Sequence, residues 1–228
     1  MVLKSKLAGK ARIDYFVKGL RPKLLIHSGT HGDEYKVIES VKKAVEKHHD
    51  FLPDFVFVPV VSPSAVEIRK RKNGDGVDLN RSFFDDSPIE EVRVNMEIVK
   101  EYGQFDLFIS FHEEPALDTF YMYQSGDHNC TNDPEWIAFK KAVRNLGVGL
   151  LTGTDDPHDV VLGYEFIDGY RHVPLPEGGY EESGEFDYWA INRKLVKYAL
   201  IPEVPLKLDQ GTKDGVVDLF FQKMLLAT

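Results

Sequence analysis

Four short stretches of the 228-residue chain concentrate side chains able to hold a metal ion or move a proton. The first is His31-Gly32-Asp33-Glu34, which follows the apolar run 23–28. A histidine and a glutamate with two residues between them can converge on one cation from a tight turn, and both are donor types that zinc accepts. Gly29 and Gly32 are expected to let the backbone bend sharply from strand into helix. The alternative is a polar turn whose acidic residue sits favourably at a helix N-terminus. The second is His112, at the end of the apolar run 105–111. Alone it reads equally as a hydrogen-bonded structural residue. With His31 and Glu34 it makes the two-histidine, one-carboxylate set of catalytic zinc sites that leave the fourth position open. Donor type alone does not separate zinc from cobalt, manganese or iron.

The third stretch is Gly76-Val77-Asp78-Leu79-Asn80-Arg81-Ser82-Phe83. Neighbouring Asn80 and Arg81 on a loop can grip a carboxylate, the arginine through its planar fork; the alternative is a turn followed by a salt bridge. The fourth is Glu203 in Leu200-Ile201-Pro202-Glu203-Val204-Pro205. A carboxylate embedded in an apolar segment is costly unless it is paired or used. Beside a metal it can take a proton from an activated water; the alternative is a salt-bridged structural glutamate.

Positioning these residues requires a particular scaffold. Residues 10–18, 23–28, 54–61, 105–111 and 198–204 read as strands, rich in β-branched and aromatic side chains. Val37, Ile38, Val41, Ala44 and Val45 share one helical face, as do Ile89, Val92, Met96 and Val99. Further helices are expected from Asp133-Pro134 to 145, over 186–197 and over 214–226. Residues 62–82 read as a loop, and 153–184 as a long irregular stretch of the functional kind. Alternating strands and helices predict an α/β fold in one domain, with a central, mixed but largely parallel twisted sheet and helices on both faces. In such sheets ligands bind beyond the carboxyl ends of the strands, where the candidate residues fall.

Composition narrows the function classes. The chain is 43% hydrophobic and 29% charged, ordinary for a globular protein, with a formal net charge of -9. No basic face is evident, so nucleic acid is not an expected partner. No apolar run approaches the roughly 18 residues of a membrane span, and residues 1–18 lack a signal-peptide core. One cysteine, Cys130, cannot form an intrachain disulfide. A cytoplasmic location is expected.

Taken in order from Leu24 to Pro205, the motifs resemble the zinc carboxypeptidase family (carboxypeptidase A-like and murein peptide amidase-like enzymes) and its relatives, the succinylglutamate desuccinylases and aspartoacylases. The resemblance implies one zinc per chain, with His31, Glu34 and His112 as ligands and Asp78 orienting the first histidine from behind. It implies that Asn80 and Arg81 bind a substrate carboxylate and that Glu203 is general base, then acid. Arg71 matches the arginine that polarises the scissile carbonyl, with Arg69 as competitor. Tyr180 matches the tyrosine that closes over substrate, with Tyr170 and Tyr188 as competitors. The implied partner is a small peptide or acyl amino acid bearing a free carboxylate. The chain ends at Thr228, soon after Glu203, without the further β-rich segment usual in desuccinylases, which favours the peptidase or amidase branch over an N-acyl amino-acid deacylase. An inactive, peptide-binding relative is the remaining expectation.

Overall fold

The computed structural model describes residues 1–156 and 163–226; residues 157–162, within the long stretch 153–184, and the last two residues lie outside the described residues. The strands are β1 (Val2–Ala8), β2 (Ala11–Lys18), β3 (Leu24–Ser28), β4 (Phe55–Val58), β5 (Phe105–Glu114), β6 (Thr119–Gly126), β7 (Gly149–Leu150), β8 (Gly153–Thr154), β9 (Glu165–Phe166), β10 (Tyr170–Val173) and β11 (Val196–Pro205). The helices are α1 (Tyr35–His48), α2 (Pro63–Ile68), α3 (Glu90–Tyr102), α4 (Pro134–Asn145), α5 (Phe186–Asn192) and α6 (Gln210–Phe220). Among the described residues one nine-stranded sheet runs β1-β2-β4-β3-β5-β11-β6-β10, with β7 on β6, and β8 pairs with β9 apart from it.

The centre of the sheet is parallel: β3 pairs in that sense with β4 and β5, and β5 with β11. All five residues of β3 and all four of β4 are buried, as expected of strands covered on both faces. On one face α1, α4 and α6 close a core around Val41, Phe111, Trp136, Phe139 and Phe220. On the other, α3 and α5 pack Val92, Met96, Phe108, Phe186 and Trp189. Each such side chain withdrawn from water contributes about 1.5–3 kcal/mol. The α/β architecture with helices on both faces is thus as the periodicities predict.

Several elements depart from the sequence reading. β1 is an edge strand exposed along most of its length, so it carries no inward apolar stripe to announce it; its pairing with β2 through a turn at Gly9 defines it. β6 carries a legible signal, Thr119-Phe120-Tyr121-Met122-Tyr123, that the reading passed over. The loop assigned to 62–82 begins with α2. This short helix is capped from a distance: Glu91 accepts from Ser62 Oγ at 2.9 Å and from the Ser64 N–H at 2.8 Å. The last helix starts at Gln210, where Asp209 caps it by accepting from the Thr212 N–H at 3.0 Å.

The order β3-β5-β11 has a direct consequence for the site. Three adjacent parallel strands deliver His31, His112 and Glu203 to the same edge of the sheet, and Glu203 stands in register with His112. Among the described residues no helix is long and apolar enough to cross a membrane.

Candidate metal centre

His31 follows β3, and Glu34 ends the 3-10 turn (Gly32–Glu34) that leads into α1. Gly29 has φ +64, in the left-handed region where glycine is favoured, so it makes the bend as the sequence predicts. Gly32 serves differently. Its φ is not positive, but a Cβ there would lie 1.8 Å from the Ala65 carbonyl oxygen of α2. Glycine is needed for close approach at this point, not for bending.

Donor atoms of His31, Glu34 and His112 lie within 4.8 Å of one another, and all three residues are buried. His31 Nδ1 is 2.5 Å from Glu34 Oε1, and His112 Nδ1 is 2.9 Å from Glu34 Oε2. Among the described residues Glu34 Oε2 has no hydrogen-bond partner, although His112 Nδ1 lies beside it. A buried carboxylate oxygen left unbonded between two imidazoles is an uncommon and costly arrangement. A cation bound by all three donors would remove that cost, so the residues fit a metal. Each imidazole turns Nδ1 toward Glu34 and has its other nitrogen held from behind: His31 Nε2 lies 3.3 Å from Asp78 Oδ1, and His112 Nε2 lies 3.0 Å from Ser110 Oγ.

The electrostatics agree. Burial pushes the His31 pKa down, but the Glu34 charge and the bonds to Asp78 and Glu34 outweigh it and raise it to about 9. Burial likewise opposes ionisation of Glu34, yet the His112 and His31 imidazoles lower its pKa to about 2. Surroundings that favour a positive charge on an imidazole are those that would favour a cation.

Asp78 joins this centre to the neighbouring loop. Its Oδ2 accepts from Arg71 Nε at 3.0 Å, and its Oδ1 accepts from the Asn80 N–H at 3.0 Å. Burial raises the Asp78 pKa, but the bond to His31 and the nearby charges of His31, Arg71 and Arg81 hold it well below the usual range. Arg71 thereby lies with Nη1 3.4 Å from His31 Nδ1. Arg69 is placed elsewhere: it terminates α2 at φ 52, and its guanidinium lies 4.6 Å from the Tyr35 ring centroid. Asn80 Oδ1 accepts from the Phe186 N–H at 3.2 Å, which fixes the amide's orientation. Arg81 is half exposed, with Nη1 3.2 Å from Glu185 Oε1.

A cleft of about 270 Å³ opens over these residues, lined by His31, Glu34, Arg71, Asn80, Arg81, His112 and Glu203 among others. Glu203 is held at a raised pKa, about 7, first by burial and then by the Glu34 and Glu114 charges, against the opposing pull of His112. A carboxyl so placed is suited to accept and return a proton near neutrality. Tyr180 is not among the residues that line the cleft. It is buried behind the cleft, where its hydroxyl donates to the Val173 carbonyl and accepts from the Gly126 N–H, both at 2.6 Å. Tyr188 lines the cleft and stacks on Tyr180 at 4.1 Å between centroids. Tyr170 accepts from the Cys130 N–H at 3.1 Å and packs in the α1/α4/α6 core. The sequence reading also missed Asp187, a buried carboxylate lining the cleft whose Oδ2 accepts from Ser125 Oγ at 2.6 Å. Its place in the first turn of α5 gives no sign of that orientation. Glu185, the partner of Arg81, was missed because the two are far apart in the chain.

Comparison with known proteins places this geometry in context. The family model for the succinylglutamate desuccinylase/aspartoacylase catalytic domain matches residues 21–116, a little under half the chain. Comparison with curated proteins finds no match. Among solved structures, a provisionally assigned metallopeptidase from Shewanella denitrificans aligns at TM-score 0.72 and 17% identity, covering 97% of this chain and 82% of its own. The murein-tripeptide amidase MpaA from Escherichia coli O157 aligns at 0.58 and 19%, covering 96% and 87%. A succinylglutamate desuccinylase/aspartoacylase from Rhodobacter sphaeroides aligns at 0.53 and 15%, covering 98% and 66%. At these identities the likeness to solved structures is one of fold. The chain shares its fold with these solved structures, and the family-model match covers the stretch that holds His31, Glu34, Asp78, Asn80, Arg81 and His112.

Proposed function

We propose that this chain is a zinc-dependent hydrolase that cleaves an amide bond next to a free carboxylate, in the manner of a metallocarboxypeptidase or peptide amidase. One zinc per chain would be held by His31, Glu34 and His112. The observation that carries this reading is the convergence of those donors around the unbonded Glu34 Oε2, in a cleft that Glu203 also lines. Bound zinc would supply a Lewis acid and lower the pKa of water at the cleft floor. Glu203 takes the proton of the attacking water and passes it to the leaving amine, a task that suits its raised pKa. Arg71, braced by Asp78, offers its guanidinium to the carbonyl oxygen as negative charge develops. Asn80 and Arg81 receive the substrate carboxylate, which displaces Glu185 from Arg81. Tyr188 takes the place expected of Tyr180 beside the substrate.

Metal analysis tests this reading. Purified protein is expected to hold one zinc per chain, and His31→Ala to hold none. No metal bound by the wild type, even after zinc is offered, would leave a binding protein on a hydrolase-like fold. Arg81→Ala is expected to raise KM for free-carboxylate substrates by about 10–100-fold, the worth of one charged hydrogen-bonding group, with kcat little changed. Steady-state kinetics on paired free-acid and esterified substrates checks this, and an equal loss on both would remove Arg81 from carboxylate recognition.

The family-model match favours a second reading on the same residues: an N-acyl amino-acid deacylase releasing a small acidic acyl group. Release of C-terminal residues from peptides, measured beside release of succinate or acetate from acyl amino acids, separates the two.

A further inference from the structure

Glu113 follows His112 on β5, and the proposed reaction gives it no task. Its side chain has no exposed surface, yet it is ionisable and fully engaged. Oε2 accepts from the backbone N–H groups of Lys36 at 3.0 Å and Val37 at 3.2 Å, in the first turn of α1. Oε1 pairs with Nζ of Lys213, a residue of α6 that is also without exposed surface. Lys213 Nζ reaches the Leu206 carbonyl as well, at 3.4 Å. One carboxylate therefore binds the start of α1, which Glu34 immediately precedes, and is covalently next to His112.

Ordinary packing does not account for such a pair. Replacing a buried ion pair by apolar side chains of similar volume is often neutral or stabilising, so fold stability alone gives little reason to keep it. The arrangement does supply directional control. A carboxylate at a helix N-terminus is held by the helix dipole and by aligned N–H groups, and Lys213 offsets the cost of its burial. Resting on the reading of His31, Glu34 and His112 as metal donors, we infer that Glu113, neutralised by Lys213, is a positioning residue. It fixes the spacing of His112 and Glu34, and so sets the affinity and coordination geometry of the bound metal.

The test shortens the clamp without removing its charge. Glu113→Asp keeps the negative charge but withdraws the carboxylate by one methylene. It is expected to weaken zinc binding about 10–100-fold, the range for outer-sphere partners of metal ligands, and to alter the visible spectrum of the cobalt(II)-loaded protein. The double variant E113Q/K213M keeps the length and the acceptor while removing both charges, and its zinc Kd is expected to change by less than about tenfold, the lower limit of that scale. A purely structural role would lower the Tm of Glu113→Asp and leave the cobalt spectrum of the folded protein unchanged; that result overturns the inference. Should Glu113→Asp fail to fold, amide exchange in the wild type decides. Slower exchange at Lys36 and Val37 on zinc binding supports the clamp, and unchanged exchange at both overturns it. A wild type that binds no metal overturns the metal-site reading itself, a separate outcome.

Discussion

Replacing Glu203 by glutamine is expected to lower kcat by about 10²–10⁴-fold, the usual worth of a positioned general base, while zinc content stays at one per chain. The amide matches the carboxylate in shape, so β11 and its register with His112 are retained. It cannot take a proton from water, and that function is what the substitution removes. Burial and the Glu34 and Glu114 charges disfavour ionised Glu203 against the pull of His112, so the Tm of the variant is expected not to fall. The carboxylate is kept against those forces, which is the pattern expected of a functional group. Single-turnover rates on whichever substrate the panel identifies, with metal analysis of the same preparation, check the prediction. Turnover within tenfold of wild type removes Glu203 from the base role. Loss of zinc in the variant would place it among the donors.

Gly32→Ala is the second substitution with a large expected effect, although it adds one methyl group and touches no donor atom. The added Cβ would meet the Ala65 carbonyl oxygen at 1.8 Å and the Ala65 carbonyl carbon at 2.1 Å. Both are backbone, so a side chain cannot swing aside; α2 or the turn carrying Glu34 must move. The Gly32 N–H also donates to the Lys70 carbonyl at 2.9 Å, next to Arg71, so displacement reaches Arg71 and the donors together. Overpacking of this kind costs about 1–3 kcal/mol, which in a chain of this size lowers Tm by about 2–4 °C per kcal/mol. Zinc affinity is expected to fall at least about tenfold. Gly74→Ala is the control: nothing lies within 4 Å of a Cβ there, and both readouts should match wild type. A Gly32→Ala protein with wild-type Tm and zinc Kd would show that the turn and α2 tolerate separation.

The sequence by itself determined those features that rest on local chemistry. Side-chain periodicity gave the buried strands at the centre of the sheet and the apolar faces of α1 and α3, because water exclusion acts on each element along its own axis. The residue types and chain order of His31, Glu34, His112, Asp78, Asn80, Arg81 and Glu203 singled out a candidate site: covalent geometry confines His31 and Glu34, with two residues between them, and the others follow the order of the family motifs they resemble. Elements without an inward stripe were not legible in this way. β1 exists through pairing with β2, and α2 is capped by Glu91 from another helix.

Only the tertiary structure decided between chemically equivalent neighbours. Arg71 and Arg69 are two residues apart and alike in type, yet one is braced by Asp78 at the cleft and the other caps a helix beside Tyr35. Tyr188 reaches the cleft while Tyr180 is tied to Gly126 and Val173 behind it. The bonds of Glu113 to α1 and α6 join residues far apart in the chain, as does the approach of Gly32 to Ala65. Such relations are set by how the layers dock on the sheet, and the spacing of residues along one strand or helix carries no record of what packs against it.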